Sequence, residues 1–126
     1  MTQLGRLTDA NNIRQGHWPG YEKADLLFRA VEFGGEAGEV LDAVKKLARA
    51  QRAIAGNNGK SMDDLRQAVM EEIGDVMITL DMLATDLGIK IEDCVPMKFN
   101  MTSRKVGIDV YMNADWEVEY DGASAP

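Results

Sequence analysis

Cysteine and histidine are almost absent from this chain of 126 residues, which contains one of each. A single cysteine, Cys94, cannot form an internal disulfide or a cysteine-rich zinc cluster. A single histidine, His17, argues against a Ser-His-Asp triad and against a metal site built from several histidines. Any chemistry must therefore be carried by carboxylates, lysines or hydroxyl groups.

Long apolar runs and an excess of basic residues are also missing. No segment approaches the roughly 18 uninterrupted apolar residues of a membrane span. Residues 1–12 lack the apolar core of a signal peptide. The chain has 14 basic and 21 acidic residues, a net charge of −7 that repels phosphate backbones. We therefore expect a cytoplasmic protein that binds neither membranes nor nucleic acid.

The remaining composition is that of a folded protein. Hydrophobic residues make up 45% of the chain and charged residues 28%, and no linker interrupts it. We therefore predict one domain over residues 1–126. Apolar residues recur at helical spacing in three segments, which predicts an all-α, antiparallel helical bundle with short loops. The segments are 21–52, 62–87 and 91–105.

The two ends of the chain are predicted to differ from this bundle. Residues 1–20 are polar and contain several glycines, which indicates an arm or short helix followed by a turn. Apolar and acidic residues alternate through 109–120, which predicts a small β-hairpin with a three-residue loop at 113–115. The hairpin opens a tail extension, 109–126, and residues 121–126 are predicted to fray.

Single residues mark the helix ends. Ser61 is predicted to cap the second long helix, and Gly88 and Gly107 to end the second and third helices. Three glycines between positions 34 and 38 interrupt the first long helix, where each is unfavourable. They predict either the close approach of a neighbouring backbone or a local break.

Acidic residues form a stripe along the first long helix. Glu32, Glu36 and Glu39 are spaced so that they share one narrow face. The main apolar arc of this helix lies on another side, so one interpretation is a solvated face. The other is a set of metal ligands.

A second acidic cluster occupies a less usual place. Glu72 lies on the apolar face of its helix, and Asp75 flanks it. A carboxylate on a buried face is costly unless it pairs with a lysine or arginine or binds a metal ion, and both alternatives stay open. Antiparallel packing would bring this pair and Glu36 and Glu39 to one cavity. Oxygen ligands alone suit Mg²⁺ or Mn²⁺.

These motifs resemble those of the MazG-like, all-α nucleoside triphosphate pyrophosphohydrolases, in particular the small, phage-type members. The likeness rests on the two acid-x-x-acid pairs in order and on the downstream segment Lys98-Phe-Asn-Met-Thr-Ser-Arg-Lys-Val-Gly107. It covers about residues 14–108 and leaves the hairpin tail outside the common core.

The resemblance implies Mg²⁺-dependent hydrolysis of a (deoxy)nucleoside triphosphate to the monophosphate and pyrophosphate, with Mn²⁺ able to substitute. Four carboxylates are implied to be both the metal ligands and the catalytic groups: Glu36, Glu39, Glu72 and Asp75. Three residues of the downstream segment are implied to contact phosphates or the sugar, with simple solvation of a helix surface as the alternative: Lys98, Asn100 and Lys105.

Recognition of the base is encoded only weakly. His17, Trp18 and Tyr21 could stack on a base, and Asn11 or Asn12 could read its edge. The stacking residues, together with the purine nucleotides that small phage-type relatives hydrolyse, indicate a preference for purine and for guanine in particular. The alternative is that Trp18 packs as a hydrophobic staple at the helix entrance.

The rival to an enzyme is a non-catalytic helical interaction module whose carboxylates are solvated or structural. Three amphipathic helices would leave apolar surface that a partner must cover. The resemblance implies a homodimer or homotetramer with its site near the subunit interface. It also implies action in the cytoplasm, that of the host cell if the chain is viral.

Overall fold

The computed structural model describes residues 1–120, and the predicted fraying of 121–126 lies outside them. Within the described range the chain forms four α-helices, one short 3₁₀ helix (Tyr21–Lys23) and a two-stranded hairpin. This confirms the predicted all-α fold with a small hairpin. The main elements are α1 (Gln3–Gly16), α2 (Leu26–Gln51), α3 (Met62–Asp86), α4 (Ile91–Val106), β1 (Val110–Met112) and β2 (Val118–Tyr120).

The chain divides into two compact units, residues 1–87 and the part from residue 88 onward, and the single domain stays a prediction. No helix within residues 1–120 combines the length and apolar character that crossing a membrane requires.

Helices α2 and α3 form an antiparallel pair in the first unit. Asp25 caps α2 by accepting a hydrogen bond from the backbone N–H of Phe28 at 2.8 Å. Ser61 caps α3 in the same way at 3.1 Å from the N–H of Asp64, as predicted. Gly88 follows α3 with a φ of 69°, a left-handed conformation that glycine adopts without strain and that confirms the predicted stop.

The polar N-terminal segment forms a helix of 14 residues, α1, which packs on α3. Its contact with α3 is largely polar. The Thr8 hydroxyl donates to Asp81 Oδ1 at 2.6 Å, and Asn11 Nδ2 donates to Asp81 Oδ2 at 2.9 Å. A helix whose sequence has little apolar periodicity is therefore held in place by hydrogen bonds to a buried carboxylate.

The glycines of α2 cause neither of the effects predicted for them. The helix runs unbroken through Gly34, Gly35 and Gly38, and a Cβ added at any of them would meet nothing within 4 Å. The reason is that these glycines lie on the outward surface of α2, beside apolar residues that are also exposed. We call this exposed face the α2 stripe, and its large side chains are Leu27, Val31 and Leu41, which are 72%, 66% and 72% exposed.

In the second unit α4 ends at Gly107, whose φ of 72° confirms the predicted stop. Asn100 attaches the hairpin that follows to α4. Asn100 Nδ2 donates to the carbonyl oxygen of Met112 at 2.9 Å, and the N–H of Met112 donates to Asn100 Oδ1 at 2.8 Å. The Asn100 carboxamide thus pairs with the backbone of β1 as a neighbouring strand would.

The hairpin loop is longer than predicted, because it spans residues 113–117 and the strands pair from Met112 with Val118. Asn113 Oδ1 accepts hydrogen bonds from the N–H groups of Asp115 and Glu117, at 3.0 and 2.9 Å, which closes the wider loop. Trp116 lies in this loop with a φ of 64°, and its indole N–H donates to the carbonyl oxygen of Glu92 on α4.

Candidate metal centre

The two acid-x-x-acid pairs lie opposite each other on α2 and α3. Glu36 and Glu39 are one helical turn apart on α2, and Glu72 faces them from α3. One carboxylate oxygen from each of these three glutamates lies within 4.8 Å of the other two. The antiparallel packing predicted from the helical periodicity is what brings these side chains together. We call Glu36, Glu39, Glu72 and Asp75 the carboxylate cluster.

Asp75, the fourth predicted ligand, is near this group without belonging to the close set of three. It lies one turn after Glu72 on α3 and is exposed. Its negative charge raises the pKa of both Glu36 and Glu72, although it is not the largest cause for either. Its backbone carbonyl accepts a hydrogen bond from the Thr79 hydroxyl at 3.0 Å.

The carboxylates of the cluster oppose one another electrostatically. Burial raises the pKa of Glu36 most, and the charges of Glu39 and Asp75 add to the effect. The pKa of Glu72 is raised first by hydrogen bonding with the Glu39 side chain and then by burial. Each of these causes makes the ionised form of the carboxyl group less favourable. The fully ionised cluster is therefore electrostatically unfavourable unless a cation or bound protons offset its charge.

The alternative of a structural ion pair is not found for this cluster. Among residues 1–120, the ion pairs of lysine and arginine involve other acids, namely Glu32, Asp42 and Asp86. One oxygen of Glu36 and one of Glu72, both Oε2, are buried with no hydrogen-bond partner in the described part of the chain. Hard carboxylate oxygens without protein partners fit a small divalent cation such as Mg²⁺ or Mn²⁺.

The acidic stripe of α2 is not a solvated face as a whole. Glu32 accepts a hydrogen bond from the Tyr21 hydroxyl and lies 3.9 Å from Arg29 Nη1. Burial and the Glu32 carboxylate raise the pKa of Tyr21 to about 12. Glu36 is half-buried, and only Glu39 is exposed. The stripe thus divides into one structural acid, Glu32, and two members of the carboxylate cluster.

The cluster borders two cavities of different chemistry. The larger cavity, about 550 Å³, contains Glu39 and Glu72 in its wall and also two lysines, Lys46 and Lys60. The smaller cavity, about 120 Å³, contains Glu36 and Asp75 in its wall, together with aromatic and polar residues and two apolar ones, Ile78 and Met82. Those residues include Trp18, Tyr21, Asn11, Arg14 and Gln15.

The residues predicted to recognise a base are only partly together. Trp18 and Tyr21 line the smaller cavity, and their rings pack edge to face at 5.3 Å between centroids. This contact and the 53% exposure of Trp18 leave part of the indole accessible. Asn11 lines the cavity too, but its amide N–H group bonds to Asp81 and to the carbonyl oxygen of Ile78.

His17 and Asn12 are placed outside this cavity. His17 is the exposed residue that ends α1, and its backbone N–H donates to the carbonyl oxygen of Arg14 at 3.0 Å. Asn12 is exposed and accepts a hydrogen bond from Gln15 Nε2 at 3.3 Å. Neither side chain is among the residues that line a described cavity.

The three predicted phosphate or sugar contacts all lie on α4, in the second unit. Lys98 and Lys105 are exposed, as the alternative of surface solvation requires. Asn100 is half-buried, and both polar atoms of its carboxamide bond to Met112. The structure thus gives Asn100 a role in holding the hairpin, and its contact with a substrate stays a prediction.

Sequence reasoning missed a buried arginine that contacts Tyr21, a residue of the smaller cavity. Arg29 is 3% exposed and pairs with Asp86 at 3.0 Å, hydrogen-bonds Gln15, and lies over the Tyr21 ring at 5.2 Å. The available signal was its position within the apolar half of α2, one turn before Glu32. These contacts attach the aromatic side of the smaller cavity to both long helices.

Comparison of the chain with protein-family models, with curated proteins and with solved structures finds no match. The resemblance to the MazG-like family therefore stays a prediction that rests on the motifs.

Proposed function

We propose that this chain is a Mg²⁺-dependent nucleoside triphosphate pyrophosphohydrolase. The observation that carries the proposal is the carboxylate cluster. Its glutamate oxygens converge within 4.8 Å from two helices, no lysine or arginine of residues 1–120 pairs with them, and two buried oxygens have no hydrogen-bond partner. A fold without a ligand to bind gains nothing from this arrangement, because unpaired buried carboxylates destabilise it.

In this proposal Glu36, Glu39, Glu72 and Asp75 hold the cation. Bound Mg²⁺ would neutralise the phosphates and polarise the phosphorus that water attacks. The chain's own contribution is to fix the ligands on two packed helices, so that the cation and the substrate meet in a set geometry. Mn²⁺ has the same preference for oxygen ligands and is expected to substitute.

The smaller cavity supports a place for the nucleoside beside the cluster. Trp18 is about half exposed, and its ring packs against that of Tyr21 in an edge-to-face arrangement. A purine would gain most from such a surface because it has the larger ring system. Guanine is the purine that we propose, as the resemblance to the small phage-type relatives indicates. His17 is proposed to contribute from the end of α1, and Lys98, Asn100 and Lys105 to contact phosphates or the sugar. Competition between dGTP and dCTP tests the base preference, and a higher kcat/KM for dCTP would reject it.

Release of pyrophosphate tests the activity. The protein is incubated with each of the eight common ribo- and deoxyribonucleoside triphosphates and Mg²⁺, and the products are separated by ion exchange. We expect the monophosphate and pyrophosphate, with turnover lost in excess EDTA and restored by Mg²⁺ or Mn²⁺. Orthophosphate without pyrophosphate would reject attack at the α-phosphorus, and undiminished turnover in EDTA would reject the metal.

The second candidate is a non-catalytic helical interaction module. It is favoured by the α2 stripe. The apolar residues of this stripe follow the spacing that is typical of a buried helix face, yet they are exposed. A thermal-shift titration with Mg²⁺ and a non-hydrolysable triphosphate separates the two candidates. A shift that requires both components supports the enzyme, whereas no shift with any nucleotide supports the module.

The α2 stripe also supports assembly of the enzyme as a homodimer or homotetramer. Leu27, Val31 and Leu41 form an apolar surface next to glycines that leave room for close contact. Sedimentation analysis of Leu41→Arg tests this, because a charge on a buried interface would dissociate the assembly. We further propose a cytoplasmic enzyme, in the host cell if the chain is viral, that acts on free nucleotides and not on nucleic acid.

A further inference from the structure

Two lysines line the larger cavity next to the carboxylate cluster. Lys46 and Lys60 share its wall with Glu39 and Glu72, in a space of about 550 Å³. We propose that Lys46 and Lys60 bind the β- and γ-phosphates and so hold the pyrophosphate that leaves. This inference rests on the proposed function, and it assigns residues outside the acid motifs and outside the α4 segment.

The fold places Lys46 on the same side of α2 as the cluster. Lys46 follows Glu39 by seven residues, which is two helical turns, so both side chains project from one face. That face also carries Ala43, which is 7% exposed and lines the cavity. A triphosphate bound to the cluster would therefore extend along this face towards the end of α2.

The loop between α2 and α3 brings Lys60 to the same place. Asn57 Nδ2 donates to the backbone carbonyl oxygen of Lys46 at 2.8 Å, and the N–H of Lys60 donates to the carbonyl oxygen of Asn57 at 3.1 Å. The next residue, Ser61, caps α3. The loop is thus attached to the backbone of Lys46 through the Asn57 side chain, and this attachment does not depend on either lysine side chain.

The charges of the cavity leave both lysines able to bind phosphate. Lys46 Nζ pairs with Asp42 Oδ2 at 2.9 Å, but both side chains are about half exposed, and an ion pair in such a position is weak. Among residues 1–120 these lysines are the cationic side chains that line the cavity, and its further acids are Asp42, Asp64 and Glu71. An ammonium group is a compact charge that suits phosphate oxygens.

The carboxylate cluster lies between two cavities, and this position would determine which end of the bound triphosphate enters each cavity. Glu36 and Asp75 border the cavity that contains Trp18, whereas Glu39 and Glu72 border the cavity that contains the lysines. The α-phosphate would lie at the cluster, with the nucleoside on the aromatic side and the outer phosphates on the lysine side. Cleavage between the α- and β-phosphates would then leave pyrophosphate in contact with Lys46 and Lys60.

The test compares lysine variants in binding two products separately. Lys46→Met and Lys60→Met remove the charges but keep most of the side-chain length. Lys45→Met is the matched control, because Lys45 also pairs with Asp42, at 3.2 Å, but does not line the cavity. Affinity is measured by calorimetry for magnesium pyrophosphate and for the monophosphate of the best substrate, and KM is measured for that triphosphate.

We expect each cavity variant to bind magnesium pyrophosphate about tenfold more weakly, the loss of one charge-assisted contact. Monophosphate affinity should stay at the parental value, KM should rise, and Lys45→Met should match the parent. Parental pyrophosphate affinity in the double variant Lys46→Met/Lys60→Met would overturn the inference, as would an equal loss of monophosphate affinity. If the unchanged protein releases no pyrophosphate from any triphosphate, the proposed function itself has failed.

Discussion

Asp81 and Glu72 are two carboxylates of the same helix, and the fold treats them in opposite ways. Asp81 is 3% exposed, and each of its oxygens accepts a hydrogen bond, from Thr8 at 2.6 Å and from Asn11 at 2.9 Å. Glu72 is half-buried among other carboxyl groups, and its Oε2 atom has no hydrogen-bond partner. Neutral donors surround the first carboxylate, whereas like charges surround the second.

This difference indicates which acid serves the fold and which serves a ligand. The chain has the means to satisfy a buried acid, since α1 supplies hydrogen-bond donors to both oxygens of Asp81. It does not do so for Glu72. Leaving a buried polar atom unpaired is unfavourable, so the arrangement is understandable if a bound cation completes it.

The largest effect is expected when one ligand of the carboxylate cluster is neutralised. We expect Glu39→Gln to lower kcat/KM for the best triphosphate by at least about a hundredfold, because one charged ligand of the cation is lost. Asp75→Asn should act similarly. The melting temperature should hardly change, since Glu39 is exposed and keeps its shape as glutamine.

Steady-state kinetics with saturating Mg²⁺ check this prediction, with Asp63→Asn as the control. Asp63 is an exposed carboxylate in the first turn of α3, the helix that carries Asp75, and it lines neither cavity. Turnover of Glu39→Gln at the parental rate would mean that the cluster does not hold a catalytic ion.

The matching substitution at Asp81 should lower stability and leave turnover unchanged. Asp81→Asn places an amide N–H group where Thr8 and Asn11 both donate, so one donor loses its acceptor. We expect the free energy of unfolding to fall by about 1–3 kcal/mol. The kcat/KM of the folded protein should stay close to the parental value. Urea unfolding and kinetics on the same preparation check both points, and a loss of turnover without a loss of stability would contradict them.

Local sequence patterns were sufficient to predict the long helices and the convergence of Glu36, Glu39 and Glu72. The prediction of one cavity for all four acids was wrong, because Glu39 and Glu72 line one cavity and Glu36 and Asp75 line another. Ser61 and Gly107 mark helix ends through interactions within one turn, and the cluster depends on spacing within α2 and α3 plus antiparallel packing. The partners of Asp81 are different, because Thr8 and Asn11 lie 73 and 70 residues away along the chain. No local period indicates which distant donors will meet a given acid.

Residues at the ends of elements were the other limit of sequence reasoning. The three-residue hairpin loop was wrong because Asn113 accepts two backbone hydrogen bonds and Trp116 turns towards α4. The Trp116 contact involves α4, 24 residues away along the chain, whereas the Asn113 hydrogen bonds lie within the loop itself. The prediction for the glycines of α2 was wrong because their surroundings depend on which face of α2 is covered by α3, and these glycines lie outside that face.

A smaller effect of opposite sign should follow from Glu72→Gln. The substitution removes one charge from a group of carboxylates that repel one another, and it keeps the shape of the side chain. We expect the variant to be inactive and yet more resistant to urea than the parent when both are kept in EDTA. Added Mg²⁺ should stabilise the parent more than the variant. Lower stability of Glu72→Gln in EDTA would indicate that this glutamate is structural, like Asp81.

The smallest expected effect is a pH dependence that separates the two kinds of acid. The pKa values of Glu36 and Glu72 are raised above their ordinary value of 4.5 in the folded protein. Between the ordinary and the raised pKa the folded state therefore binds more protons than the unfolded state. Their contribution to stability is present in full below pH 4.5 and is lost as the pH rises through the raised pKa values.

We expect the metal-free parent to lose stability relative to Glu36→Gln/Glu72→Gln as the pH rises from 4.5 to 7. Urea unfolding in EDTA at several pH values measures this difference, and titrating groups that do not interact with the two glutamates, such as Asp42 with its lowered pKa, cancel because both proteins contain them. Saturating Mg²⁺ should remove or reverse the trend, because a bound cation favours the ionised carboxylates that the empty cluster disfavours. A parent that gains stability over the variant with rising pH in EDTA would mean that the cluster already has a cationic partner in the protein. Glu72 would then be satisfied in the way that Asp81 is, and the contrast between the two carboxylates would no longer indicate a ligand.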